Sequence, residues 1–163
     1  METTSTKPVI IVVASLAIKM TKPLITVLLP TRKRTAMVKK SISTILELAT
    51  DPSRIHIAVA YDSDDAESET YFTSNEWKSL VENTSATQEV HEINRLGWTA
   101  LHEYYNFLAT NIDSEWYFIW NDDAFMQTQG WDQEIWENKN YNSLISMESN
   151  GKLPDSTLFP CVP

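Results

Sequence analysis

The stretch Trp116-Tyr117-Phe118-Ile119-Trp120-Asn121-Asp122-Asp123 limits the possible folds of this chain more than any other. Five large apolar or aromatic residues run on without Gly or Pro, then stop at two adjacent carboxylates. A short aromatic run of this kind reads as a buried strand rather than a helix. In an open α/β sheet, ligands bind outside the carboxyl ends of the strands. Asp122 and Asp123 therefore fall where a ligand would sit. Neighbouring carboxylates repel unless a cation or a hydrogen-bond network compensates them. A hard divalent cation held by one or two carboxylates plus substrate phosphates is one solution. An Asx turn with solvated acids after a core strand is the other.

Other runs share the pattern of an apolar segment closing on polar residues. Leu24 to Leu29 is a Leu and β-branched run ended by Pro30, and it leads into Thr31-Arg32-Lys33-Arg34-Thr35. Ile55 to Tyr61 ends at Asp62-Ser63-Asp64-Asp65, and Glu89 to Ile93 is a third strand. Between them, Met37, Val38, Ile42, Ile45, Leu46 and Ala49 recur at helical spacing up to the Asp51-Pro52 breaker. Residues 75–82 read as a short helix, and the acidic, Ser-rich stretch to Glu69 as loop. Trp98, Leu101, Tyr105 and Leu108 line one face of a second long helix. Gly130 to Asn138 reads as a short helix, and Tyr141 to Met147 as a last strand. Strands alternating with helices predict an α/β fold: a Rossmann-like, mostly parallel central sheet with helices on both faces. With 163 residues, 42% of them hydrophobic, the chain suits one such domain over residues 20–163.

Residues 1–19 form an N-terminal extension. The apolar run Val9 to Ile18 is too short for a membrane span and lacks a basic start, so neither a transmembrane helix nor a signal peptide is expected. Thr6-Lys7-Pro8-Val9-Ile10 echoes Thr21-Lys22-Pro23-Leu24-Ile25, as an extra strand or as a leader ahead of Met20. The lone Cys161 permits no disulfide framework, and a reducing, cytoplasmic setting is expected. Net charge is −9 but uneven. Residues 1–54 carry nine Lys/Arg against three Asp/Glu, and the remainder four against nineteen. An acidic chain of this kind is not expected to bind nucleic acid. A basic cluster facing an acidic half suits an anionic ligand bridged by a metal, or simple charge complementarity within the chain. Three glycines, Gly97, Gly130 and Gly151, exclude a GxGxxG fingerprint and a Walker P-loop.

Four segments thus gather polar residues at one edge of the sheet: Pro30-Thr31-Arg32, Asp62 with Asp64-Asp65, Asn94-Arg95-Leu96-Gly97-Trp98, and Asn121-Asp122-Asp123. From Leu24 to Trp131, their order and spacing resemble a GT-A glycosyltransferase of the family 2 type, a nucleotide-diphospho-sugar transferase. The resemblance implies a metal-dependent, inverting transfer from a nucleotide-sugar donor, UDP-linked, to an unknown acceptor. Pro30, Thr31 and Arg32 match the first-strand loop that contacts the nucleoside. Asp62 matches the aspartate that hydrogen-bonds the base, usually uracil, and Arg95 falls in the loop that meets the diphosphate. Asn121-Asp122-Asp123 matches the DXD-type motif. Asp122 would lie near the ribose or donor sugar, and Asp123 would hold Mn²⁺ or Mg²⁺. The first position is Asn rather than Asp, which removes one anionic ligand.

The resemblance also implies a general base from an acidic motif far downstream, and no residue here matches it. The chain reads as a minimal or C-terminally truncated form whose catalytic residues are unknown, with Glu134 and Asp155 as candidates by acidity alone. The alternative function is a non-catalytic nucleotide-sugar-binding module. A different Mg²⁺-dependent phosphoryl- or nucleotidyl-transfer enzyme on a similar sheet is a third. Asp64 and Asp65 form a rival metal site, and Arg32-Lys33-Arg34 read equally as a solvated helix entry. His56, His91 and His102 lack metal spacing and read as structural. Of the aromatics outside the strands, read mostly as core, Trp131 after Gly130 is the one expected to stack on a sugar.

Overall fold

The computed structural model describes residues 23–138, 144–146 and 160–163. The extension over residues 1–19 lies outside them. The strand β1 (Ile25–Thr31) is buried along its whole length. Ile25, Val27 and Leu29 point into one apolar cluster with Val38, Ile42, Ile45 and Leu46, and Leu28 points into a second with Tyr104, Leu108 and Ile112. A strand covered on both faces needs apolar residues at successive positions, so its sequence is continuous rather than alternating. The strands β2 (Ile55–Asp62), β3 (Thr87–Ile93) and β4 (Trp116–Ile119) complete a parallel set in the order β3-β2-β1-β4.

The helices α1 (Thr35–Glu47), α2 (Ala66–Phe72), α3 (Asn75–Glu82) and α5 (Trp131–Glu137) contribute to the larger cluster. The helix α4 (Leu101–Asn111) packs on the other face through Tyr104 and Leu108. The chain moves outward from β1 to β3, then crosses back on the α4 side to place β4 beside β1. The direction of winding therefore reverses between β1 and β4, and in an open α/β sheet that switch point opens a crevice at the carboxyl ends of the strands. The strands β5 (Ile145–Ser146) and β6 (Pro160–Val162) extend the sheet beyond β4, with β6 antiparallel to both its neighbours. The α/β architecture with helices on both faces is the one the sequence predicts.

Several local expectations need correction. The stretch from Ala66 is helix, not loop. Asp65 caps it, accepting hydrogen bonds from Ser68 N at 3.2 Å and Ser68 Oγ at 2.6 Å, while Phe72 stacks on Tyr61 and meets Trp77 edge-on. A capping acid and one buried aromatic thus hold a helix whose other residues are mostly polar. Trp98 does not lie on the buried face of the second long helix. It starts a single 3₁₀ turn, Trp98–Ala100, and is 86% exposed. Of the expected last strand, Ile145–Ser146 is strand, Leu144 is not, and 141–143 and 147 fall outside the described residues. The sequence also gave no sign of β6. Its Cys161 is fully buried against Phe118, and burial pushes the thiol up to about 12.

Trp131 cannot stack on a sugar. It is 0% exposed, packs against Phe118, and donates from Nε1 to the Ile45 carbonyl at 2.9 Å. The turn ahead of it explains why. Gly130 adopts φ +73° with its N–H on the Leu48 carbonyl at 2.7 Å, and a Cβ there would come within 3.1 Å of Thr50 Oγ1. Asp132 next accepts from Thr50 N and Asp51 N at 2.7 and 2.9 Å, tying α5 to the end of α1. The glycine shapes a packing joint rather than a binding loop.

Candidate functional site

The carboxyl ends of β1, β2 and β4 and the segment after β3 surround a cavity of about 450 Å³. Pro30, Thr31, Arg32, Asp62, Arg95, Asn121, Asp122 and Asp123 all line it. The positions that the resemblance assigns to nucleotide and metal are therefore gathered at one edge, whereas Trp131 and Glu134 are not among them. Arg34, Gly97, Trp98, Leu101, Tyr104 and Tyr105 complete the lining.

Two carboxylate groupings divide the cavity. At the end of β2, Asp62 is 3% exposed. Its Oδ2 accepts from Arg32 Nη1 at 2.7 Å, and its Oδ1 accepts from the Tyr104 hydroxyl. Tyr104 in turn accepts from Leu96 N at 3.0 Å, so one tyrosine joins the aspartate to the loop after β3. Arg32 also engages Asp64, at 3.1 Å for Nη2–Oδ2, and Arg95 reaches the same oxygen at 3.3 Å. The hydrogen bond from Arg32 holds the Asp64 carboxyl below its usual range, and Asp64 raises Arg32 in return. Burial, and then the bond to Asp62, pushes the Tyr104 hydroxyl up, so it stays a donor at neutral pH.

At the end of β4, the backbone of Trp120 donates to the Leu28 carbonyl at 3.1 Å and its indole to Ser41 Oγ at 2.8 Å. These bonds fix the start of the turn in which Ala124 N closes on the Asn121 carbonyl. Asp122 is buried. Its Oδ2 accepts from Thr31 Oγ1 at 2.8 Å across the switch point, and its Oδ1 from Arg34 Nη1 at 3.0 Å. The same Arg34 nitrogen donates to Asp123 Oδ2 at 3.1 Å. The Tyr105 hydroxyl lies 3.0 Å from both the Trp120 carbonyl oxygen and Asn121 Oδ1. Burial, with added repulsion from Asp122 and Asp123, pushes its pKa well up.

Among the described residues, no group of three or more His, Cys, Asp or Glu side chains is placed to hold a metal by itself. Asp122 and Asp123 nevertheless converge on one cationic nitrogen, and two hard oxygen donors suit Mg²⁺ or Mn²⁺ when a ligand's phosphate oxygens supply the rest. The rival pair offers less. Asp65 is buried with its oxygens committed to Ser68 and to Lys33 N, the latter at 2.7 Å, and Asp64 sits between two arginines. The histidines lie outside the cavity lining, His56 against Thr87, His91 beside Glu89 and Phe107, and His102 on the surface by Glu103. Glu134 is exposed on α5 and does not line the cavity, and Asp155 lies outside the described residues.

Sequence reasoning missed Arg34, Tyr104 and Tyr105, and it placed Trp98 both in the segment at the sheet edge and on the buried face of a helix, of which only the first holds. The tyrosines read as core, and nothing local says which strand end a helix-borne hydroxyl will meet. Arg34 was hidden in a basic triplet whose members the loop sends to different places. Trp98 carried one available signal, its position directly after Gly97, where φ is +81° and the chain turns outward.

No family model and no curated protein matches the chain in sequence. Solved structures do match it in shape. A mannosyltransferase from Pyrobaculum calidifontis, PcManGT, in complex with GDP-Man and Mn²⁺, aligns with a TM-score of 0.60 at 14% identity, covering 78% of this chain and 36% of that one. TarS from S. aureus in complex with UDP aligns at 0.57 and 14%, covering 79% and 37%. Another TarS structure aligns at 0.52 and 11%, covering 70% and 30%. The chain spans about a third of the length of the solved structures it matches. At this identity the likeness carries the fold: the domain is a Rossmann-like GT-A sheet, as the resemblance in its sequence implies.

Proposed function

We propose that this domain binds a nucleotide-diphosphate sugar, with UDP as the nucleotide, and transfers the sugar to an acceptor hydroxyl with inversion at the anomeric carbon. The observation that carries the reading is a cavity at the switch point that joins Asp62–Arg32 to Asp122–Asp123–Arg34. It is supported by the fold shared with proteins whose structures hold GDP-Man with Mn²⁺, or UDP.

Pro30, Thr31 and Arg32 flank the nucleoside. Asp62 accepts the base N–H: two of its roughly four acceptor positions are taken by Arg32 and Tyr104, which leaves capacity for a ligand. Arg95 meets the diphosphate through charge-assisted hydrogen bonds. Asn121 and Asp122 face the ribose or sugar, and Asp123 with Asp122 holds Mn²⁺ or Mg²⁺. When bound, the ion acts as a Lewis acid on the leaving diphosphate. In the transfer, the bond from the anomeric carbon to phosphate oxygen breaks, the acceptor oxygen bonds the same carbon, and the acceptor proton passes to a base. A cytoplasmic setting is part of the proposal and rests on the lone Cys161, which permits no disulfide framework. Among the described residues, no helix is long and apolar enough to cross a membrane.

A second reading, a nucleotide-sugar-binding module without turnover, is favoured by one observation. Among the described residues, each acid lining the cavity is engaged by an arginine, which leaves none free as a base. A thermal-shift screen of nucleotides with and without Mn²⁺ tests the common core of both readings. UDP with Mn²⁺ should raise the melting temperature more than CDP. Guanine also carries a ring N–H, so GDP is the stringent competitor. No shift with any nucleoside diphosphate refutes donor binding, and binding of UDP-sugars without release of UDP selects the module.

A further inference from the structure

Arg34 stands apart from the other cavity arginines. Arg32 is engaged by both Asp62 and Asp64 beside the β2 end. Arg34 places one nitrogen, Nη1, between Asp122 Oδ1 and Asp123 Oδ2, at 3.0 and 3.1 Å. Asp122 is buried and its other oxygen is committed to Thr31, so the shared oxygen is the one left to face a cation. The Arg34 backbone is fixed, since its carbonyl accepts from Met37 N and Val38 N at 2.9 Å each at the start of α1. Its side chain is 54% exposed and can swing away without disturbing that helix.

We infer that Arg34 is the site's own counter-cation, and that a divalent ion enters between Asp122 and Asp123 only by displacing its guanidinium. This rests on the metal reading given above. A guanidinium nitrogen and a divalent ion cannot share the gap between two carboxylates, because two positive charges at such separations repel strongly. Metal alone must therefore break the Arg34 contacts. A diphosphate arriving with the metal gives the displaced guanidinium a new anionic partner, over the same cavity and with the fork geometry it favours. Metal binds weakly to the free protein and more tightly with nucleotide, and Arg34 carries part of that coupling. By linkage, the nucleotide gains the same factor from the metal.

The test is Mn²⁺ binding to the full chain, read from the loss of the free-ion electron paramagnetic resonance signal, with and without UDP. Arg34→Gln should bind Mn²⁺ about three- to tenfold more tightly without UDP, the range expected for removing one half-exposed charge shared by two carboxylates. The factor by which UDP strengthens Mn²⁺ binding should shrink in this variant. Arg34→Lys keeps the charge that competes with the ion, so its Mn²⁺ affinity without UDP should stay within about twofold of the parent protein. Circular dichroism checks that each variant is folded. Unchanged or weaker Mn²⁺ binding in Arg34→Gln, with binding still lost in Asp123→Ala, overturns the inference and leaves the metal reading standing. No Mn²⁺ binding by the parent protein or by Arg34→Gln, even with UDP, removes the metal reading and this inference with it.

Discussion

Replacing Asp62 by Asn separates its structural work from its proposed ligand contact. The carboxylate is buried at the end of β2, with Arg32 Nη1 on one oxygen at 2.7 Å and the Tyr104 hydroxyl on the other. Asn keeps the shape but loses the charge and puts a donor where an acceptor stood. Removing one partner of a buried ion pair typically costs about 3–5 kcal/mol because the other charge is stranded. Here Arg32 retains Asp64 and is partly exposed, so it is not stranded. The expected loss of stability is about 1–3 kcal/mol, that of a charged hydrogen bond. The midpoint of urea unfolding measures it. The proposed contact to uracil N–H is of the same kind, so UDP affinity should fall by a similar energy, roughly five- to 150-fold. Titration calorimetry at a temperature where both proteins are folded reads this separately, and the metal site should be affected less. Lost stability with unchanged UDP affinity would refute the base contact and leave Asp62 as a structural tie between β2, α4 and the β1 loop.

The second acidic strand end makes the complementary prediction. Asp123→Ala should abolish the mutual strengthening of Mn²⁺ and UDP while leaving the melting temperature nearly unchanged, since its side chain is half-exposed in the cavity. Asp64→Ala should keep that coupling, and coupling lost there but retained in Asp123→Ala would move the metal to the β2 end. Asp65→Ala should also keep it, but should destabilise the fold by about 1–3 kcal/mol by stripping the α2 cap and the Lys33 N–H of their acceptor, as denaturant unfolding would show. Burial alone would lift the Asp65 carboxyl, but bonds from Ser68 and Lys33 outweigh it and hold the folded-state value below 3.8. Its stabilisation should therefore be complete above that pH and fade as pH falls below it, and acid unfolding of Asp65→Asn should lack this component. Trp131→Ala should cost about 3–5 kcal/mol of stability, and an effect on UDP binding with stability preserved would contradict its place in the core.

The parts legible in the sequence are those where burial on both faces leaves no choice of residue. β1 and β2 are nearly continuous apolar runs for that reason, β4 is one with Tyr117 and Ile119 half-buried on its second face, and their polar ends mark one edge of the sheet once the strands are known to be parallel. β6 is three residues long and gains its place by pairing with β4, a partner about forty residues away that no local pattern announces. α2 depends on one capping acid and one buried ring. The triplet Arg32-Lys33-Arg34 shows the limit most sharply. Read as one basic cluster, it is in fact a divider. Arg32 turns to the β2 end, Arg34 to the β4 end, and Lys33, at φ +54°, gives its backbone N–H to Asp65. The direction of each side chain is set by loop geometry rather than by residue type.

The Thr31–Asp122 hydrogen bond joins residues 91 positions apart, whereas Arg32–Asp62 joins residues 30 apart. Closing the longer loop costs roughly 1 kcal/mol more chain entropy, and it waits for the whole crossover through α4. The Asp62 half of the cavity can therefore form while β4 is still unplaced, but the Asp122 half cannot. Without β4, Arg34 lacks both of its carboxylate partners and the cavity lacks the acidic pair proposed to hold a cation. The cavity is complete only when β4 is in place, so a ligand that needs both halves selects for chains that have finished folding.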